Sequence, residues 1–233
     1  MSLLSERGQL TPELLLRAYA AGIFPMAESR HAPNIFWVDP EVRAILPFEE
    51  FRVPRSLRKT VRRGLFEVRC DTAFADVIRA CAEVTPKRRD SWINDEIIAA
   101  YSALHELGHA HSVECWLGTE LVGGLYGVAL GGAFCGESMF SRRTDASKVA
   151  LVHLVARLAL GGFTLLDVQF VTDHLRRFGV VEIPARRYLM HLGEALEVRA
   201  VFSRDLPPAE EKAALEAVLG GRAAASSDRS TKP

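Results

Sequence analysis

Apolar residues recur at helical spacing in several stretches of the chain, each with its own start and stop signals. Thr11-Pro12 reads as N-cap and N1 of a first helix carrying Leu14, Leu15, Ala18 and Tyr19, with Gly22 as its end. Ile23-Phe24-Pro25-Met26 then leaves as an apolar loop. Asp71 is placed to cap a helix with Phe74, Val77, Ile78 and Cys81 on one face. Asn94 caps another, through Ile97, Ile98, Tyr101 and Leu104, and Gly108 stands at its C′ position. From Asp145 a longer helix runs through Val149, Val152, Val155 and Leu158 to Gly161-Gly162. A short helix holds His174 and ends at Gly179, and Pro208–Leu219 reads as a polar final helix. Strand patterns fill the spaces between: 36–39, 43–46, 66–69, 110–116, 120–130, 133–140, 164–170 and 197–202.

The stretch Leu121–Lys148 stands out among these. Its glycines let another backbone or a ligand approach closely, at a cost in packing. It closes with Gly136-Glu137-Ser138-Met139-Phe140-Ser141, just ahead of the helix from Asp145. Downstream, Asp167 interrupts the apolar run Thr164–Phe170, and Gln169 lies two residues on, so both project from one face. A carboxylate in a buried strand is costly unless paired or used. Pairing with an Arg, or capping a turn, is the structural alternative to a catalytic role. The order of strands and helices implies an α+β sheet that opens near Glu137, Asp167 and the N-terminus of the helix from Asp145. Carboxylates and an amide beside free helical N–H groups suit acyl transfer.

Composition narrows the classes. The 29 Lys and Arg balance the 29 Asp and Glu, so any nucleic-acid contact must come from a local patch. One is present: RVPRSLRKTVRR, residues 52–63, has no acid among Arg58, Lys59, Arg62, Arg63 and their neighbours. With Leu57 and Val61 on a buried face, its like charges oppose a helix unless a polyanion neutralises them. Pro86–Asp90 is a basic loop leading to Trp92, which reads as a core anchor in preference to a stacking platform for a base. Cys70, Cys81, Cys115 and Cys135 lack metal or disulfide spacing and read as reduced thiols. His105, His109 and His111 lack a third ligand at a telling distance, so no metal is assigned. No apolar run reaches membrane-spanning length, and the N-terminus carries Glu6 and Arg7 where a signal peptide is apolar. A cytoplasmic protein is expected, and its Gly/Ala/Ser-rich tail is expected to be disordered.

Several segments taken together resemble the leucyl/phenylalanyl-tRNA–protein transferases. They are Tyr19–Pro25, Ser91-Trp92-Ile93, His105–Ser112, Leu121–Tyr126, Gly136–Arg142 with Ala146-Ser147-Lys148, and Leu166-Asp167-Val168-Gln169. The resemblance implies a small N-terminal α/β subdomain (residues 1–62), a GNAT-like mixed-sheet domain (63–205) and a polar C-terminal helix with tail (206–233). It implies transfer of Leu, Phe and, less well, Met from aminoacyl-tRNA to the N-terminal Arg or Lys of a protein, which then enters N-degron proteolysis. Asp167, Gln169 and Glu137 fall at the reaction centre, and no cofactor is implied. Trp92 is placed against the terminal adenosine, with Met26 where many members carry a second Trp. Leu125, Phe134 and Leu158 fall at the side-chain pocket, Ser141 among the substrate contacts, and Arg58, Lys59, Arg62 and Arg63 along the tRNA backbone. A monomer is expected. The competing expectations are an acyl-CoA-dependent acetyltransferase and a non-catalytic RNA-binding module. The first requires a Gly-rich pyrophosphate loop where the chain reads Ser141-Arg142-Arg143-Thr144-Asp145. The second leaves Asp167, Gln169 and Glu137 unexplained.

Overall fold

A computed structural model describes residues 10–86 and 89–221. Lys87 and Arg88 of the basic loop, the N-terminal nine residues and the tail from residue 222 lie outside the described residues. The elements in order are α1 (Pro12–Ala20), β1 (Phe24–Ala27), β2 (Ile35–Val38), β3 (Val42–Ile45), α2 (Arg55–Arg62), β4 (Glu67–Cys70), α3 (Phe74–Ala82) and α4 (Asp95–Glu106). Then follow β5 (Ala110–Leu117), β6 (Glu120–Leu130), β7 (Ala133–Ser141), α5 (Ala146–Leu160), β8 (Leu165–Gln169), α6 (Asp173–Arg176), β9 (Val181–Pro184), α7 (Ala185–Leu196) and α8 (Pro208–Leu219).

Seven strands form one mixed sheet in the order β4-β5-β6-β7-β8-β3-β9, which makes the fold α+β as expected. Only β7 and β8 are parallel neighbours, and a parallel pair needs a crossover; α5 supplies it. Residues 149–158 of α5 are all buried. A helix apolar on every side must be covered on every side, and α5 lies between the sheet and α8. The opposite face of the sheet carries α3 and α4, with α1 packed on them, so two cores flank one sheet. Close approach explains two central glycines: α5 enters against Gly123 at Ala146, and the Phe134 ring lies across Gly127. No helix among the described residues is long and apolar enough to cross a membrane.

Thr11 caps α1 by accepting from the Leu14 amide, and Asn94 caps α4 by accepting from Ile97. Three local expectations differ from the structure. Phe24–Ala27 is a strand, not a loop, because β2 supplies its hydrogen-bond partners, and a two-stranded edge tolerates Pro25. Asp71 does not cap α3. It sits in a left-handed turn (φ 57°), with its carboxylate bonded to His111 and the Ser112 amide. The cap comes instead from Glu114 on β5, which accepts from the Thr72 and Ala73 amides at 2.9 Å each. Residues 197–202 form no strand: Phe202 stacks on His111 and on Phe134, and the Val201 amide bonds the Gly161 carbonyl. In the main sheet, β3 is hydrogen-bonded between β8 and β9.

Glu114 has no exposed surface and also accepts from the Ser112 and Thr72 hydroxyls. Replacing Glu114 with Ala leaves the buried Ser112 hydroxyl and the partly buried Thr72 and Ala73 amides without their acceptor, and we expect a loss on the order of 2 kcal/mol in urea denaturation. Glu114→Gln, which keeps one acceptor oxygen, should lose less.

Candidate active site

Asp167 lies on β8, opposite Ile45 of β3 and Cys135 of β7, with no exposed surface. Its partner is Arg43 of β3, whose side chain is 1% exposed. Arg43 donates from Nε to Oδ1 at 2.9 Å and from Nη2 to Oδ2 at 2.6 Å, and from Nη1 to the Gly22 carbonyl at 2.8 Å. The guanidinium lies between the Phe24 and Tyr188 rings, 4.7 and 4.5 Å from their centroids. Burial works against its charge, but the Asp167 hydrogen bonds and charge outweigh that and raise its pKa. Tyr188 donates to Oδ2 at 3.0 Å, and the Gln169 amide donates to Oδ1 at 2.9 Å. With these partners and no exposed surface, Asp167 ties Arg43, Tyr188 and the Gln169 turn together. The pairing alternative raised for it is what the structure shows. Arg43 itself escaped sequence reading; its signal is a single cation heading the apolar strand Arg43-Ala44-Ile45-Leu46.

Gln169 adopts φ 54°, and a 2.6 Å bond from the Phe170 amide to the Val168 carbonyl closes a three-residue turn around it. A non-glycine residue there carries strain of about 1–3 kcal/mol, offset by surrounding contacts. Here the Asp167 carboxylate receives the turn's amide. The turn brings Gln169 Nε2 within 3.0 Å of Glu137 Oε1, leaving Oε1 of Gln169 as that amide's acceptor. Burial pushes the Glu137 carboxyl up to about 8, against the pull of its hydrogen bonds from Tyr19 and Gln169. The Tyr19 and Tyr101 hydroxyls bond each other beside it.

Glu137 also lines an apolar cavity of about 250 Å³, together with Leu125, Met139, Leu151, Leu154, Leu166, Val168 and Leu175. Of the three expected pocket residues only Leu125 reaches it. Phe134 is packed behind, against Phe163 and Phe202, and Leu158 lies one turn past Leu154 in the same core. Leu151 and Leu154, three apart on one helix face, and Met139, two residues past Glu137, were readable as this lining. Trp92 and Met26 sit apart from the cavity, half-buried on the other core, where the Ala27 amide bonds the Trp92 carbonyl at 3.0 Å.

Ser141 does not join this group. It ends β7, roughly 13 Å along the strand from Glu137 at about 3.3 Å per residue. Its hydroxyl donates to the Arg143 carbonyl at 2.7 Å and accepts from the Ser147 amide. The helix start expected at the reaction centre is likewise elsewhere. A four-residue turn joins β7 to α5, so α5 begins at the far end of β7 and runs back along it.

The basic helix α2 forms with Leu57 buried, and two of its cations have internal partners. Arg58 donates to the Val53 carbonyl at 2.8 Å, and Arg62 forks onto Glu216 of α8 at 3.1 and 2.8 Å. An internal carboxylate thus supplies part of the neutralisation that the sequence seemed to require from a polyanion. Lys59 and Arg63 are exposed. The larger cleft between α2, β4 and α8, about 700 Å³, shares no lining residue with the cavity at Glu137. His111 is bonded to Asp71 and His105 to the Ala110 carbonyl; among the described residues no three His, Cys, Asp or Glu side chains gather as a metal site.

A carboxyl lining an apolar cavity and bonded to a neighbouring amide, on a mixed sheet with one parallel crossover, is an arrangement suited to group transfer. Residues 45–193 match the family described as leucyl/phenylalanyl-tRNA protein transferase, and residues 8–41 match its N-terminal domain. A leucyl/phenylalanyl-tRNA–protein transferase of Paramagnetospirillum magneticum is 61% identical over 204 residues, covering 88% of this chain and 98% of the relative. Another, of Nitrobacter winogradskyi, is 59% identical over 215 residues, covering 90% and 96%. A third, of Afipia carboxidovorans, is 57% identical over 198 residues, covering 85% and 87%. The chain belongs to the leucyl/phenylalanyl-tRNA–protein transferase family.

Removing Arg43 leaves a buried carboxylate unpaired, so Arg43→Met should cost about 3–5 kcal/mol in chemical denaturation. Adding Asp167→Leu to that variant should recover part of the loss, since no charge is then stranded. For Glu137 the folded chain holds its proton more tightly than the unfolded chain. Its contribution to stability is therefore complete below the carboxyl's ordinary value of 4.5 and is lost as pH climbs toward about 8. Thermal midpoints should fall across that window, and Glu137→Gln should flatten the dependence.

Proposed function

We propose that the protein moves Leu or Phe, and Met less well, from aminoacyl-tRNA to the N-terminal Arg or Lys of acceptor proteins in the cytoplasm. The product would enter N-degron proteolysis. The observation that carries this reading is the Gln169–Glu137 pair beside an apolar cavity of about 250 Å³, enclosed enough for one unbranched or γ-branched side chain. In this reading the aminoacyl side chain fills the cavity, with its ester carbonyl at Gln169 and Glu137. Trp92 and Met26 cover the terminal adenosine. The division into residues 1–62, 63–205 and 206–233, acting as a monomer, belongs to the same proposal.

The chemistry needs little from the enzyme, because the ester is already activated. The acceptor's neutral α-amine attacks the ester carbonyl carbon, forming a C–N bond. The C–O bond to the ribose breaks, and the proton released by the amine ends on the departing ribose oxygen. Gln169 Oε1 accepts a hydrogen bond from the incoming amine and aims its lone pair. Glu137, neutral below about pH 8, holds the Gln169 amide by its Oε1. Asp167 contributes by fixing the Gln169 turn, not by taking a proton. Orientation of this kind accounts for a large part of a rate enhancement.

The test is incubation with Phe-tRNA and a peptide beginning with Arg, read by mass. A gain of one phenylalanyl residue at the N-terminus is expected, and none on an N-acetylated control. Equal products on both peptides, or none on either, sink the proposal. Gln169→Gly relaxes the backbone while removing the amide, and should slow transfer on the order of 10²-fold with tRNA binding retained. Retained transfer would show that the amide is a bystander. Raising salt should weaken tRNA binding. Lys59→Ala with Arg63→Ala should lower the salt slope by about 2, and Arg62→Ala by less than 1 because Glu216 already shares its charge.

A further inference from the structure

Two segments more than fifty residues apart meet beside β1. Residues 28–34 link β1 to β2, and residues 89–94 lead into α4. Arg30 holds them together from both its ends. Its backbone amide donates to Asp90 Oδ1 at 3.0 Å, and its Nη2 donates to Asp95 Oδ1 at 2.7 Å. Two further bonds run parallel: Asn94 Nδ2 to the Ala32 carbonyl at 2.9 Å, and the Ala27 amide to the Trp92 carbonyl at 3.0 Å. Asp90 Oδ1 also receives the Ser91 amide at 2.7 Å, and Ser91 Oγ receives the Ile93 amide at 3.2 Å. Trp92 thus rides on a short turn pinned on both sides, and Arg30 reaches both pins.

The burial of Arg30 is asymmetric. Its side chain is 21% exposed, whereas Asp95 is 87% exposed. Nη1 is buried with no hydrogen-bond partner among the described residues. An exposed ion pair adds little to stability, so drawing a long cationic side chain inward for one such pair is poorly explained by stability alone. What the contact does achieve is a fixed spacing between the hairpin that carries Met26 and the turn that carries Trp92.

We propose that Arg30 is a positioning residue for the terminal adenosine of the tRNA, holding the Trp92 ring at the distance from Met26 that admits one base. This rests on the reading that Trp92 and Met26 cover the adenosine. A flexible thioether confines a base less tightly than a second indole, so correct placement depends on the single Trp92 ring.

The experiment is a double-mutant cycle with the full-length protein, measuring KM and kcat for Phe-tRNA. Trp92→Ala should raise KM roughly tenfold. Arg30→Met, which keeps bulk and removes the charge, should raise KM about fivefold with kcat within about twofold, as expected of misplaced stacking. Arg30→Lys should restore most of it, and Asp95→Asn, altered at an exposed position, should reproduce the Arg30→Met effect without disturbing the fold. In the Trp92→Ala background, Arg30→Met should add nothing. An unchanged KM in both Arg30→Met and Asp95→Asn overturns the proposal while leaving Trp92's role standing. So does a full further increase in the Trp92→Ala background. If Trp92→Ala itself leaves KM unchanged, the adenosine reading fails, and the positioning role fails with it.

Discussion

The buried pair of Arg43 and Asp167 is the contact on which the rest of the site depends. Arg43 reaches the loop after α1 through the Gly22 carbonyl, β8 through Asp167, and the ring of Tyr188 on α7. Four pieces of chain, far apart in sequence, are thereby brought to one point. A charge pair with so little access to water is poor evidence of stability gained, since desolvation can cancel the attraction. Its geometry is what matters. Removing either partner alone strands the other.

The sheet gives this pair its direction. Because β7 and β8 are parallel, α5 must cross over between them, and it buries residues 149–158 against the sheet and α8. The same crossover presents Leu151 and Leu154 to the cavity and carries the helix N-terminus away from it. The Gln169–Glu137 pair therefore does not have the N-terminus of α5 beside it. Its polar groups are an amide and a carboxyl, each fixed by neighbours on other strands. The cavity at Glu137 is smaller than the cleft under α8.

Local signals in the sequence were largely legible. Thr11, Asn94 and Gly108 do what their positions indicate, because capping depends on neighbours a few residues away. The pair Asp167 and Gln169 was visible as polar residues in an apolar strand, although whether Asp167 was paired or reactive depended on a residue 124 positions distant. Arg43 was invisible for that reason: β3 and β8 are joined by no local rule. Asp71 misled because a strand far downstream offered Glu114 as a better cap. It is Leu154, one turn before Leu158 on α5, that lines the cavity at Glu137, since the angle at which a helix crosses a sheet is decided by packing and not by its own periodicity. The charges of α2 were read without the partner that α8 brings to Arg62.

The turn at Gln169 has a consequence for what the position can become. Its backbone conformation suits glycine or asparagine better than any longer side chain. Glycine offers no amide, and asparagine is one methylene too short to span the same gap to Glu137. The residue best suited to the backbone thus cannot make the bond to Glu137, and the residue that makes that bond is strained by the backbone. Mutational drift at this codon meets resistance from two directions at once, and glutamine is the compromise that the surrounding contacts make tolerable.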